Sequence, residues 1–236
     1  MENSHFHQNR KRVHQAFFQE RFLIPLIDKS EPIIIKENNG KATLQEVIIE
    51  NFPITDAARP QSYILDLELN KPILGRIDRT KTAEIALLLF TPKRLVVFII
   101  ELKSFVSNKA NKLSSIALKF EHSIGRVSMF LTSFIFDKAT YEKLEIQYVG
   151  MVCLHDDKIP NGFKEHQLYD NLKSEKEDIF ITNTLTGQME KMIVKFVKSK
   201  DEKTPSMTID FNKIFPKETY NFQADYTALT LPNITK

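Results

Sequence analysis

The chain has 236 residues, of which 42% are hydrophobic and 27% charged, with a formal net charge of +3. That length suits one large domain or a domain with extensions, and the composition is that of an ordinary globular protein. Cys153 is the lone cysteine, which excludes an internal disulfide and a cysteine-based zinc site. No apolar run reaches the roughly 20 residues of a membrane helix, and the polar start at Met1 to His5 has no signal-peptide core. The expectation is a cytoplasmic, reducing location with no membrane partner. The weak positive charge allows nucleic-acid binding without demanding it.

Asn9-Arg10-Lys11-Arg12 form a short basic stretch, and the apolar spacing from Val13 to Ile27 predicts a helix. After a short extended piece at Pro32 to Lys36, Thr43 is placed to cap a second helix, with Glu46 at the reciprocal capping position. Glu46 and Glu50 then share one helical face. The alternation from Gln61 to Leu69 predicts a half-exposed strand with Asp66 and Glu68 on its polar side. Glu84 to Phe90 reads as an apolar strand. Thr91-Pro92-Lys93-Arg94 has the chemistry of a turn, joining it as a hairpin to the strand Leu95 to Phe105.

That last strand is apolar on both faces, as a central strand covered by helices on each side would be. Its end carries Glu101 and Lys103, which point the same way because strand side chains alternate. Burying unpaired charge is costly, so two charges at the end of a buried strand mark either a reactive edge or a structural ion pair. A long helix follows from Ser114 or Ser115 to about Phe136, with Lys119, His122 and Arg126 forming one polar stripe. Tyr148 to Leu154 is a further buried strand leading into His155-Asp156-Asp157. Glu165 to Lys173 reads as helix, Ile179 to Thr182 as strand and Thr186 to Val197 as amphipathic helix. The order argues one α/β domain around a mixed sheet.

A strand ending in Glu-x-Lys, with an acid upstream, suits metal-assisted phosphodiester cleavage. Two acids can share Mg²⁺, which takes oxygen ligands, polarises the phosphate and acidifies water. A lysine beside them can orient that water and stabilise charge developing on phosphorus. The acid-x-Lys pattern occurs three times, at Glu101/Lys103, Asp156/Lys158 and Asp201/Lys203, and the last two fall in polar turns.

Gly75-Arg76-Ile77-Asp78 and Ile100-Glu101-Leu102-Lys103-Ser104, separated by a hairpin, resemble the PD-(D/E)xK nuclease superfamily over about residues 43 to 155. The resemblance implies a restriction-endonuclease-like α/β fold, with a central mixed sheet flanked by helices on both faces. It further implies that Asp78 and Glu101 bind Mg²⁺ or Mn²⁺ and that Lys103 acts at the nucleophile. Because Asp78 is followed by polar Arg79-Thr80-Lys81-Thr82, Asp66 and Glu68 are substitutes for it. Lys119, with His122 and Arg126, would contact nucleic acid, and Glu46 or Glu50 would supply an additional acid. The expected organisation is an N-terminal helical extension at 1–42, a nuclease-like core at 43–200 and a C-terminal extension at 201–236. The implied activity is phosphodiester hydrolysis, in DNA rather than RNA, in a setting of restriction or anti-phage defence. A homo-oligomer or a protein partner is expected. The alternative is a catalytically silent subunit that binds nucleic acid or protein.

Overall fold

A computed structural model describes residues 23–26, 31–37, 40–53, 62–67, 81–90, 94–107, 113–135, 141, 144–159, 167–173, 178–199 and 204–215. Asp78, Glu68 and the basic stretch near residue 10 lie outside these residues. Ten strands are described: β1 (Leu23–Leu26), β2 (Ile33–Lys36), β3 (Glu46–Glu50), β4 (Ser62–Asp66), β5 (Ile85–Phe90), β6 (Leu95–Ser107), β7 (Ile146–Lys158), β8 (Asp178–Thr182), β9 (Met189–Lys198) and β10 (Ser206–Asp210). The helices are α1 (Leu113–Phe130), which runs on into a π-turn at Leu131–Ile135, α2 (Leu168–Lys173) and the single turn α3 (Phe211–Ile214).

β6 lies at the centre of a seven-stranded mixed sheet of order β1-β4-β5-β6-β7-β9-β8. Its antiparallel pairing with β5 is the expected hairpin, in a register that sets Phe90 opposite Leu95 and Ile85 opposite Ile100. Its parallel pairing with β7 needs a crossover, and α1 supplies it. Ile116, Phe120, Ile124 and Val127 of α1 pack on the sheet face formed by Val97, Ile99, Val152 and Leu154. Gly150 of β7 permits that approach, because a Cβ there would lie 2.9 Å from the Phe120 ring and 2.8 Å from Met192.

The opposite face departs from the expected helices on both sides. Among the described residues it is covered by a three-stranded sheet of order β10-β3-β2. Val47, Ile49, Ile33, Ile35, Met207 and Ile209 pack there against Phe98, Ile100, Leu102 and Cys153. Phe52, Phe98 and Phe211 close this layer edge to face, with ring centroids 4.9 to 5.7 Å apart. The coarse expectation of a mixed α/β protein with a large sheet holds. The second covering layer is made of strands because its segments are short and rich in β-branched residues, Ile33-Ile34-Ile35 in β2 and Val47-Ile48-Ile49 in β3.

Glu46 and Glu50 lie on such a strand, not on a helix. Residues four apart share a face in both geometries, so their spacing did not discriminate, whereas the run Val47-Ile48-Ile49 favours the strand. Leu23–Leu26 is likewise a strand, paired with β4, where helix was expected. Residues 189–198 form β9 in place of an amphipathic helix. Met192 and Val194 are buried on one side and Val197 packs on the other, which is the period of a strand between two neighbours. β7 continues past Leu154 to Lys158, so His155 and Asp156 are strand residues. The expected boundaries near 42 and 200 are crossed by pairing, since β3 is flanked by β2 on one side and β10 on the other. No helix among the described residues is long and apolar enough to cross a membrane.

Candidate functional site

Glu84 lies immediately before β5, beside the Ile85–Ile100 pair that ends the β5–β6 ladder and therefore next to Glu101 on β6. The Glu84 amide donates to the Ile100 carbonyl at 3.1 Å, one residue off the register of that ladder, as at a β-bulge. Both carboxylates lie on the α1 side of the sheet, where Lys119 of that helix contacts each of them. Glu101 has no exposure and Glu84 only 4%. Lys119 Nζ lies 2.7 Å from Oε1 and 2.9 Å from Oε2 of Glu101, and 3.7 Å from Oε1 of Glu84. Lys103, two residues along the strand, forms an ion pair with Glu101 Oε1. The second Glu84 oxygen accepts the backbone N–H of Leu102 at 2.8 Å.

Two carboxylates thus lie close together in a buried site. Burial first, and then the negative charge of Glu101, push the Glu84 carboxyl well above its ordinary pKa. The Lys119 ammonium and the Leu102 amide oppose that shift without cancelling it. Glu101 Oε1 is approached by two ammonium groups, yet it accepts no hydrogen bond of acceptable direction among the described residues.

The structure therefore brings together Glu101, Lys103 and Lys119 and adds Glu84, which sequence reasoning assigned to the strand alone. A signal for Glu84 was present: the hairpin pairs 90 with 95 and 85 with 100, which leaves residue 84 at the strand end beside residue 101. Asp66 pairs with Ile85 on β5 at the adjoining strand end. Glu46 instead contacts Lys36 at 3.8 Å in the small sheet, and Glu50 is exposed there.

The basic stripe on α1 is only partly directed at the acids. His122 Nδ1 donates to the Lys81 carbonyl at 3.0 Å, and Arg126 donates to the carbonyl of Leu67, which Thr82 Oγ1 also contacts at 2.8 Å. Between them Ser123 Oγ accepts the Ala83 amide at 2.9 Å. Expected as phosphate contacts, His122 and Arg126 here fasten the chain on either side of residues 68–80 to α1. On the opposite face of the sheet His155 is buried, with Nδ1 3.3 Å from Thr43 Oγ1 and Nε2 without a hydrogen-bond partner among the described residues. Burial also raises the Cys153 thiol well above its ordinary pKa, as expected of an inert core cysteine.

Among the described residues no cluster of three or more His, Cys, Asp and Glu side chains could hold a metal ion. Glu84 and Glu101 nevertheless fit a hard divalent cation of the Mg²⁺ type, which is commonly held by one or two carboxylates and keeps waters in its remaining positions. Glu101 Oε1, which already draws two ammonium groups, is the oxygen donor a cation would use. No family model, curated protein or solved structure matches the chain.

Proposed function

We propose that the protein is a Mg²⁺- or Mn²⁺-dependent nuclease that hydrolyses phosphodiester bonds, in DNA rather than RNA. The observation that carries this reading is the pair of buried carboxylates, Glu84 just before β5 and Glu101 on β6, gathered on one lysine with Lys103 alongside. Well-packed apolar residues stabilise a sheet end at least as well as a buried ion cluster. Charged groups with a strongly perturbed carboxyl are therefore better explained by chemistry than by stability.

In this reading Glu84 takes the part first expected of Asp78, and Glu84 and Glu101 hold the cation. Bound there, the cation supplies positive charge to the phosphate and acidifies water. Lys103 orients the attacking water and stabilises the charge that builds on the phosphoryl oxygens. Lys119 adds positive charge from α1. A homo-oligomer or protein partner, and a role in restriction or anti-phage defence, extend this reading on the strength of the family resemblance.

A second reading is favoured by one observation. Lys103 and Lys119 already balance both carboxylates, as they would in a catalytically silent subunit that holds nucleic acid or protein. The two readings separate on cleavage of supercoiled plasmid, single-stranded DNA and RNA with Mg²⁺, Mn²⁺ or EDTA. The nuclease reading expects metal-dependent cutting that Glu84→Gln, Glu101→Gln and Lys103→Ala each reduce by at least about 100-fold while remaining folded. Undiminished cutting by all three variants would refute the site. No cutting by the unaltered protein, alone or with partners, would favour the silent subunit.

A further inference from the structure

We propose that Lys119 is a tethered cation that competes with the divalent ion for the Glu84–Glu101 pair, so that metal entry requires its ammonium to leave the site. The inference rests on the nuclease reading and concerns how that same site is regulated. Its basis is position. Lys119 Nζ contacts both oxygens of Glu101 and also approaches Glu84, so it occupies the place from which a cation would bridge the two. Lys103 is paired with Glu101. With two ammonium groups already on Glu101, a dication would add uncompensated positive charge to a buried site, which is strongly unfavourable. Lys119 is the group whose departure both restores the balance and opens the bridging position.

The side chain is built for that exit. It is a compact charge on a flexible four-carbon stem, and it is 15% exposed, whereas Glu101 is fully enclosed. Its backbone can stay in place, because the Lys119 carbonyl is held within α1 by Ser123 Oγ at 2.7 Å. Once displaced, the ammonium stands at the rim of the site, where a phosphodiester gives it a new anionic partner. Metal and nucleic acid would then favour each other's binding through one lysine.

Mn²⁺ binding by calorimetry, without nucleic acid, tests this on the unaltered protein, Lys119→Gln and Glu101→Gln. The expected result is weak binding by the unaltered protein, tightening by at least about tenfold in Lys119→Gln on loss of a competing charge a few ångströms away, and loss of binding in Glu101→Gln. A second readout needs no variant: acetylation of lysines followed by mass spectrometry. Saturating Mn²⁺ should raise labelling of Lys119 severalfold and leave that of the exposed Lys191 unchanged. Equal Mn²⁺ affinity in the unaltered protein and Lys119→Gln, or Lys119 still protected at saturation, would overturn the competition while leaving the metal site standing. No Mn²⁺ bound by either would overturn the metal reading and the inference with it.

Discussion

Lys119→Met in metal-free protein isolates what the ammonium contributes. Methionine keeps an unbranched side chain of similar length but leaves the buried Glu84 and Glu101 carboxylates close together with one fewer counter-charge. Lys103 still neutralises Glu101, so the uncompensated group is Glu84. Its least costly response is to stay protonated. Holding a carboxyl of ordinary pKa 4.5 protonated at pH 8 costs about 5 kcal/mol, which is the ceiling. Part of that cost already exists in the unaltered protein, because the carboxyl is shifted upward even with Lys119 present. A loss of about 2 to 4 kcal/mol at pH 8 is therefore expected, equal to a fall in Tm of about 5 to 15 °C for a chain of this size. At pH 5 the same protonation costs under about 1 kcal/mol, so most of the difference should vanish. Thermal melts with EDTA at both pH values, followed by circular dichroism, measure this. A fall below about 2 °C at pH 8, or one of equal size at pH 5, would refute the reasoning that Lys119 serves the two carboxylates.

In the unaltered protein, the raised Glu84 carboxyl makes the folded state bind more protons than the unfolded state above about pH 4.5. Its contribution is fully present below that pH and is lost as pH rises through the folded pKa. The stability gained by Glu84→Gln, read from urea midpoints, should grow from pH 4.5 to 8; a constant difference would count against the shift. Cys153 has no exposure and a raised thiol pKa, so iodoacetamide at pH 8 should modify it only in denaturant, and rapid modification of native protein would contradict its burial. Asn183 is buried; it donates to Ser128 Oγ at 2.9 Å and accepts the Leu185 amide at 3.0 Å, tying the β8–β9 turn to α1. Asn183→Ala should cost about 2 to 4 kcal/mol in chemical denaturation, since it strands buried polar groups, and a change under about 0.5 kcal/mol would show that the turn does not depend on it.

Glu101 and Lys103 could be placed before any fold was known. A strand apolar on both faces has to be central, and its period of two puts residues 101 and 103 on one side. The hairpin partner, the length of α1 and the strand after it were legible for the same reason: long patterns with turn chemistry between them leave little choice. The short strands at 33–36, 62–66 and 178–182 and the helix at 168–173 were legible too, but other segments were not. The four-residue spacing of Glu46 and Glu50 fits helix and strand alike, and pairing with β2 and β10 decided it. β9 became a strand because it inserts between β7 and β8, where both its faces find apolar neighbours.

The sequence by itself determined the central strand, the same-face Glu101–Lys103 pair and the basic stripe on the following helix, because these follow from local periodicity. Only the tertiary structure decided that Lys119 lies between Glu84 and Glu101, and that His122 and Arg126 hold backbone. Those outcomes depend on strand register and on the seat of α1 over the sheet. The hairpin register follows from its turn and apolar pattern, but the seat of α1 is fixed by packing between residues far apart in the chain, which no local pattern encodes.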